Sequence, residues 1–152
     1  MRRDDVPDRQ PNRSLLIAGA SLIVLALLVG ATTQLFTNPR MALSAHQQGI
    51  AAGTLLMLFG LAWRHARFSL RVSHLAARLV TVGAYTLWCG SSLAAIFGTN
   101  RATPIAGAGF RAEPWQELTV ALILLIGSLA SLAGVGSLLV GLVRGARTDP
   151  VS

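Results

Sequence analysis

Four apolar runs, at about 15–36, 43–63, 77–97 and 115–143, constrain this chain more than any other feature of its sequence. Formal charge enters them only at Arg78 and Glu117, each in the first turn of its run. A helix rises about 1.5 Å per residue, so each run is long enough to cross the ~30 Å hydrocarbon layer of a bilayer. In that layer a backbone satisfies its own polar groups only as a helix or a closed barrel. Long apolar stretches without period-2 alternation are helices. The expected fold is therefore an all-α integral membrane protein, a bundle of four transmembrane helices.

Composition agrees. Of 152 residues, 53% are hydrophobic and 12% charged, and the mean hydropathy of +0.58 is too high for an ordinary soluble domain. All 13 basic residues are arginines, giving a net charge of +7 of the kind that nucleic-acid-binding chains carry. Here the arginines crowd the ends of apolar runs and one connector, without the stacking aromatics of a single-strand binder, so no nucleic-acid partner is expected. The single cysteine, Cys89, permits no internal disulfide and leaves the redox compartment open.

Residues 1–13 mix arginines, aspartates and prolines and read as a disordered tail. This charged start resembles a secretory signal, but the run that follows is longer than an h-region and lacks a convincing cleavage site. Asn38-Pro39-Arg40 is expected to break the chain between the first two helices, because proline removes a donor and restricts the residue before it. A basic connector holds Arg64, His65, Arg67, Arg71, His74 and Arg78. The loop before the fourth helix holds Pro104, Gly107, Gly109 and Pro114 and is long enough to suggest a function. Residues 144–152 form a short polar tail.

Ten arginines lie in the N-terminal tail, the 64–78 connector and the C-terminal tail, against three, Arg40, Arg101 and Arg111, in the other two connections. The positive-inside rule then places both termini in the cytoplasm of a multi-pass protein of the cell (plasma) membrane. His46 and Glu117 fall near the outer face.

Within the second run, His46 is followed at helical spacing by Gly49, Gly53, Met57 and Gly60, a polar ligand above a groove of missing side chains. A flat cofactor lies well against such a face, and imidazole is a metal ligand. The plainer alternatives are helix packing for the glycines and interfacial hydrogen bonding for the histidine. The same packing reading is preferred for Gly127/Ser131, Ala130/Gly134 and Ser137/Gly141 of the fourth run. Tyr85, with Trp88, Cys89 and Ser92 on much the same side, should face the bundle interior, since a phenol in a bilayer needs a partner. It is a candidate donor to a substrate oxygen, or else makes a structural bond to another helix. Glu117 suits the start of the fourth helix and is a candidate partner for the imidazole. Ionisable groups near the midplane, which a proton or ion transporter would need, are missing from the sequence. No cysteine cluster, nucleophile elbow or phosphate loop occurs.

Asn38-Pro39-Arg40-Met41, Leu43-Ser44-Ala45-His46, Gly49, Gly53, Leu61-Ala62-Trp63 and Pro104-Ile105-Ala106-Gly107-Ala108-Gly109 together resemble the hydroxylaminobenzene mutase family. The layout is similar, more distantly, to styrene oxide isomerase. The resemblance spans all four runs. It implies a membrane isomerase acting on a small aromatic substrate, with hydroxylaminoarene converted to aminophenol or aryl epoxide to aldehyde. It also implies haem b as Lewis acid between the subunits of a trimer, with His46 the axial iron ligand, Gly49 and Gly53 the cofactor face, and Tyr85 a catalytic hydrogen-bond donor. Gln48 and Glu117 are then possible partners of the imidazole.

Three positions depart from the mutase pattern. Gln48 stands for a glutamate, and Ala52 and Leu87 for asparagines, which removes polar groups that could orient a substrate. The alternative reading is a non-catalytic haem-binding membrane protein serving electron transfer, sensing or cofactor handling. A purely structural bundle is the third.

Overall fold

The computed structural model describes residues 11–146. Four long helices, α1 (Pro11–Ala31), α2 (Pro39–Ala62), α3 (Leu70–Phe97) and α4 (Pro114–Ala146), are joined by short 3₁₀ turns at Thr33–Leu35 and Trp63–His65 and by one longer loop. Among the described residues there is no strand. The tail expected over 1–13 falls outside them up to residue 10; its last three residues already belong to α1. The C-terminal tail falls outside them from residue 147, and its first three residues continue α4.

Three helical stretches are long and apolar enough to cross a membrane: Arg13–Ala31, Leu70–Phe97 and Pro114–Gly145. The fourth helix, α2, has the length, at 24 residues, but Arg40, His46, Gln47 and Gln48 make its first half more polar. Large apolar side chains cover the outside, among them Val24, Leu28, Leu58, Leu125, Leu129 and Leu139. Such a surface suits lipid, where exposing leucine carries no cost.

The helix starts and stops follow local chemistry. Asn38-Pro39-Arg40 opens α2 and does more than separate it from α1. The Asn38 carboxamide oxygen caps the Met41 amide at 3.1 Å with Pro39 in the first helical turn, the position where proline's missing N–H costs nothing. The second helix thus begins near residue 39, ahead of the expected 43. The first ends at Ala31, short of the expected 36, and its chain tightens through Thr32, whose hydroxyl bonds the Leu28 carbonyl at 2.9 Å. Gly98, in the left-handed region at φ 69°, closes α3 and donates to Ala94 at 2.9 Å, a conformation glycine adopts without a Cβ penalty. The largest departure is at the basic connector: residues 70–76 are helical, so α3 starts seven residues before the expected 77.

Packing is sequential. Helix α1 lies along α2, α3 along α4, and α2 joins the two pairs with α1 also touching α3. Small residues set the crossings. A Cβ at Gly19 would overlap the Gly53 carbonyl, and one at Gly53 would lie 2.6 Å from the Gly19 carbonyl, so α1 and α2 meet backbone to backbone there. The small residues of α4 pack likewise: Ser131 against Gly83 and Gly134 against Val80. One core cluster gathers Leu15, Leu22, Leu56, Trp63, Val80 and Leu138. A second, at the other end, gathers Met41, Ala42, Ala94, Ala95 and Val120. Aromatic pairs mark both ends, Trp63 with Phe68 at 5.3 Å and Phe97 with Trp115 at 5.6 Å.

Candidate active site around His46

His46 stands two turns into α2 and turns toward α1. Its Nδ1 lies 2.8 Å from the carbonyl oxygen of Ala26. A carbonyl accepts and never donates, so Nδ1 carries the proton, and in the neutral imidazole Nε2 holds the free lone pair. Among the described residues Nε2 has no hydrogen-bond partner. Orientation of one ring nitrogen by a backbone carbonyl is the usual arrangement behind a metal-ligating histidine. Gly30, one turn beyond Ala26, makes room for the ring, because a Cβ there would overlap the imidazole.

Within the chain, the Gly49–Gly53 face expected to receive a cofactor packs against α1 and an indole. A Cβ at Gly49 would come within 2.5 Å of the Ala26 Cβ and 2.6 Å of the Trp88 ring; one at Gly53 would meet Gly19 and Ile23. These glycines let α1 and an indole approach α2 closely. The donor chemistry of His46 fits an axial iron ligand. A cradle for the macrocycle is not supplied by these glycines.

Tyr85 is not a free donor at this site either. Its hydroxyl donates to the Ala18 carbonyl at 2.9 Å, the interhelical bond that the sequence left open as the alternative. Ala18 and Ala26, the carbonyls that engage Tyr85 and His46, are eight residues apart on α1, about 12 Å along the axis. The polar group nearer the histidine is Trp88, whose indole packs on Gly49 and whose buried Nε1 has no hydrogen-bond partner.

Neither expected partner of the imidazole reaches it, because Ala26 occupies that role. Gln48 is about 200° around α2 from His46 and faces α3, where its Oε1 accepts from the buried Ser91 hydroxyl at 2.5 Å. Glu117, 7% exposed, turns its carboxylate on the loop after α3, accepting from the Asn100 and Arg101 amides at 3.0 Å each.

The sequence pattern of the styrene oxide isomerase family matches residues 11–143. The chain is 32% identical over 131 residues to hydroxylaminobenzene mutase HabA of Ectopseudomonas oleovorans, covering 86% of this chain and 97% of the relative. It is 33% identical over 121 residues to hydroxylaminobenzene mutase HabB of the same organism, covering 79% and 74% respectively. The chain belongs to the styrene oxide isomerase family. Membership, with two mutases as relatives, makes it an isomerase or intramolecular mutase. No solved structure matches it.

The segments that carry the family resemblance turn out to hold one another. Asn38, fully buried, donates from Nδ2 to the Ala106 carbonyl at 2.9 Å while its own amide donates to Ala95 at 3.0 Å. Arg40 donates to the Ala108 carbonyl and lies 5.7 Å from the centre of the Phe110 ring. Gly107 is needed for close approach, since a Cβ there would sit 2.5 Å from the Thr99 carbonyl and Asn100 Cα. The start of α2 and the 99–110 loop are thus tied together by Asn38 and Arg40 at the end of the helix that carries His46. Of the residues that build the site, Gly30 and the orphaned Trp88 N–H were not assigned from sequence. A glycine at a helix end is too common a signal to pair with a histidine on another helix.

Proposed function

We propose that this chain is a multi-pass isomerase of the cell (plasma) membrane that rearranges a small aromatic substrate, with haem b bound through His46. The substrate class is a hydroxylaminoarene giving an aminophenol, the chemistry named by the two mutases, or an aryl epoxide giving an aldehyde, the chemistry of the family's namesake. The observation that carries the site assignment is the Ala26 carbonyl on Nδ1, which leaves the Nε2 lone pair of His46 without a hydrogen-bond partner among the described residues. When bound, haem iron supplies a Lewis acid for the oxygen whose bond to nitrogen or carbon breaks.

The chain's own residues position and donate. Ala26 and Gly30 hold the imidazole in one tautomer and one orientation. The Trp88 N–H, packed on Gly49 and without a hydrogen-bond partner among the described residues, is the one orphaned donor one turn along α2 from His46; an indole donates without giving up its proton. His46, its Nδ1 held by Ala26, would hold the cofactor, and the resemblance to styrene oxide isomerase favours a homo-oligomer such as a trimer. In this reading all four helices span, and the arginine distribution supports placing both termini in the cytoplasm.

The test is purification in detergent with haem supplied, followed by an absorption spectrum and incubation with phenylhydroxylamine and with styrene oxide. The expected result is a Soret band lost in His46→Ala, together with turnover of one substrate. Rearrangement without haem, or a Soret band unchanged in the variant, overturns the haem assignment.

A further inference from the structure

At the end of the molecule opposite the 99–110 loop, α1 and α3 enclose a groove of about 360 Å³ whose lining includes Ser14, Leu15, His74, Arg78, Thr81 and Val82. We propose that this groove binds the phosphate headgroup of an anionic phospholipid. Three observations converge on that occupant.

The first is charge. Arg78 and His74 have no ion-pair or hydrogen-bond partner among the described residues. The carboxylates described, Glu113 and Glu117, lie at the start of α4, with Glu117 bound to the opposite loop. Arg13, next to Ser14, and Arg71, two turns before Arg78, add further cations at the same end. A guanidinium with two hydroxyls beside it matches the donors a phosphate diester accepts.

The second is level. Arg13 is the last charged residue before the apolar run of α1, and charges flank such runs at the water–lipid boundary, which brings Ser14 and Leu15 close to it. The same groove contains Arg78, which has eight more residues of α3 on its outer side, carrying Arg71 and His74. The groove therefore sits near headgroup level, and α3, whose 28 residues extend about 42 Å against a ~30 Å hydrocarbon layer, has length to spare beyond the bilayer.

The third is polarity within the groove. Its hydroxyls and cations are set against Leu15 and Val82, the latter 56% exposed. That gradient suits a ligand with a charged head and an apolar chain, and it does not suit free phosphate. The proposal requires a membrane-spanning chain but no haem and no isomerase chemistry, so it stands or falls separately from them.

The full chain is reconstituted in nanodiscs of phosphatidylcholine alone or mixed with phosphatidylglycerol. Thermal unfolding and native mass spectrometry of the released protein are then compared. The expected result is a higher midpoint with phosphatidylglycerol and retention of that lipid by the wild-type chain. Retention should fall about fivefold in Arg78→Gln, the weight of one surface cation, and recover in Arg78→Lys. Arg64→Gln, with the same charge change at the same end but outside the groove, should retain lipid like wild type. An equal loss in Arg64→Gln shows diffuse attraction and overturns the groove. So does an unchanged Arg78→Gln, or a midpoint raised as much by inorganic phosphate in phosphatidylcholine discs.

Discussion

Gly30 of α1 and His46 of α2 are in such close contact that a single methyl at Gly30 would occupy the space of the imidazole ring. The contact lies one turn from the Ala26 carbonyl that orients Nδ1, so Gly30→Ala should push the ring off that carbonyl while leaving the helix intact. A misplacement of about 1 Å at a reacting centre costs about 100-fold in rate. We expect Gly30→Ala to keep its helical circular dichroism and lose rearrangement activity by about that factor. Wild-type turnover in this variant would show that the ring's position is not set by α1.

Tyr85 offers the opposite expectation. Its hydroxyl bonds the Ala18 carbonyl, so Tyr85→Phe should cost about 1 kcal/mol of stability, the net worth of one such bond, with little effect on turnover. Unfolding midpoint and initial rate, measured on the same preparation, check this. A loss of activity as large as that of His46→Ala would return Tyr85 to the reacting oxygen.

The four helices were legible because apolar length is carried by each run separately. His46 stood out as the one imidazole within a run, but the contacts around it were not legible. Whether Gly49 faces a cofactor or Ala26, and whether Tyr85 finds a substrate or Ala18, depends on the register of α1 against α2 and α3. Small residues occur on several faces of these helices and do not encode that register singly. Gln48 and Glu117 were drawn toward His46 by nearness in sequence or by side of the membrane, whereas Ser91 and the loop amides are their actual partners. Residues 70–76 escaped because Arg71, Ser73 and His74 interrupt their apolar pattern, so hydropathy does not extend the run over them.

Glu117 carries two charge-assisted bonds from adjacent amides, an arrangement only a carboxylate completes. In Glu117→Gln one amide N–H must face an NH₂ group, at a cost of about 1–3 kcal/mol for a buried donor left unpaired. We expect a lower unfolding midpoint with the absorption spectrum of any His46-bound haem unchanged in position. A shifted spectrum would mean that Glu117 acts on the imidazole after all.

Asn38 joins two roles that substitutions can separate. Its Oδ1 caps α2 at Met41, and its Nδ2 tethers the loop at Ala106, all with the side chain fully buried. Asn38→Ala removes both and should cost about 2–4 kcal/mol, combining a lost cap with an unpaired buried carbonyl. Serine is an equally good cap but too short to reach Ala106, so Asn38→Ser should recover about 1 kcal/mol of that loss. Hydrogen exchange of the Gly107 and Phe110 amides, which close the loop's own turns, should nevertheless be as fast in Asn38→Ser as in Asn38→Ala. If serine instead restores wild-type protection there, the loop is held by Arg40 and Glu117 alone, and Asn38 serves only to start the helix that presents His46.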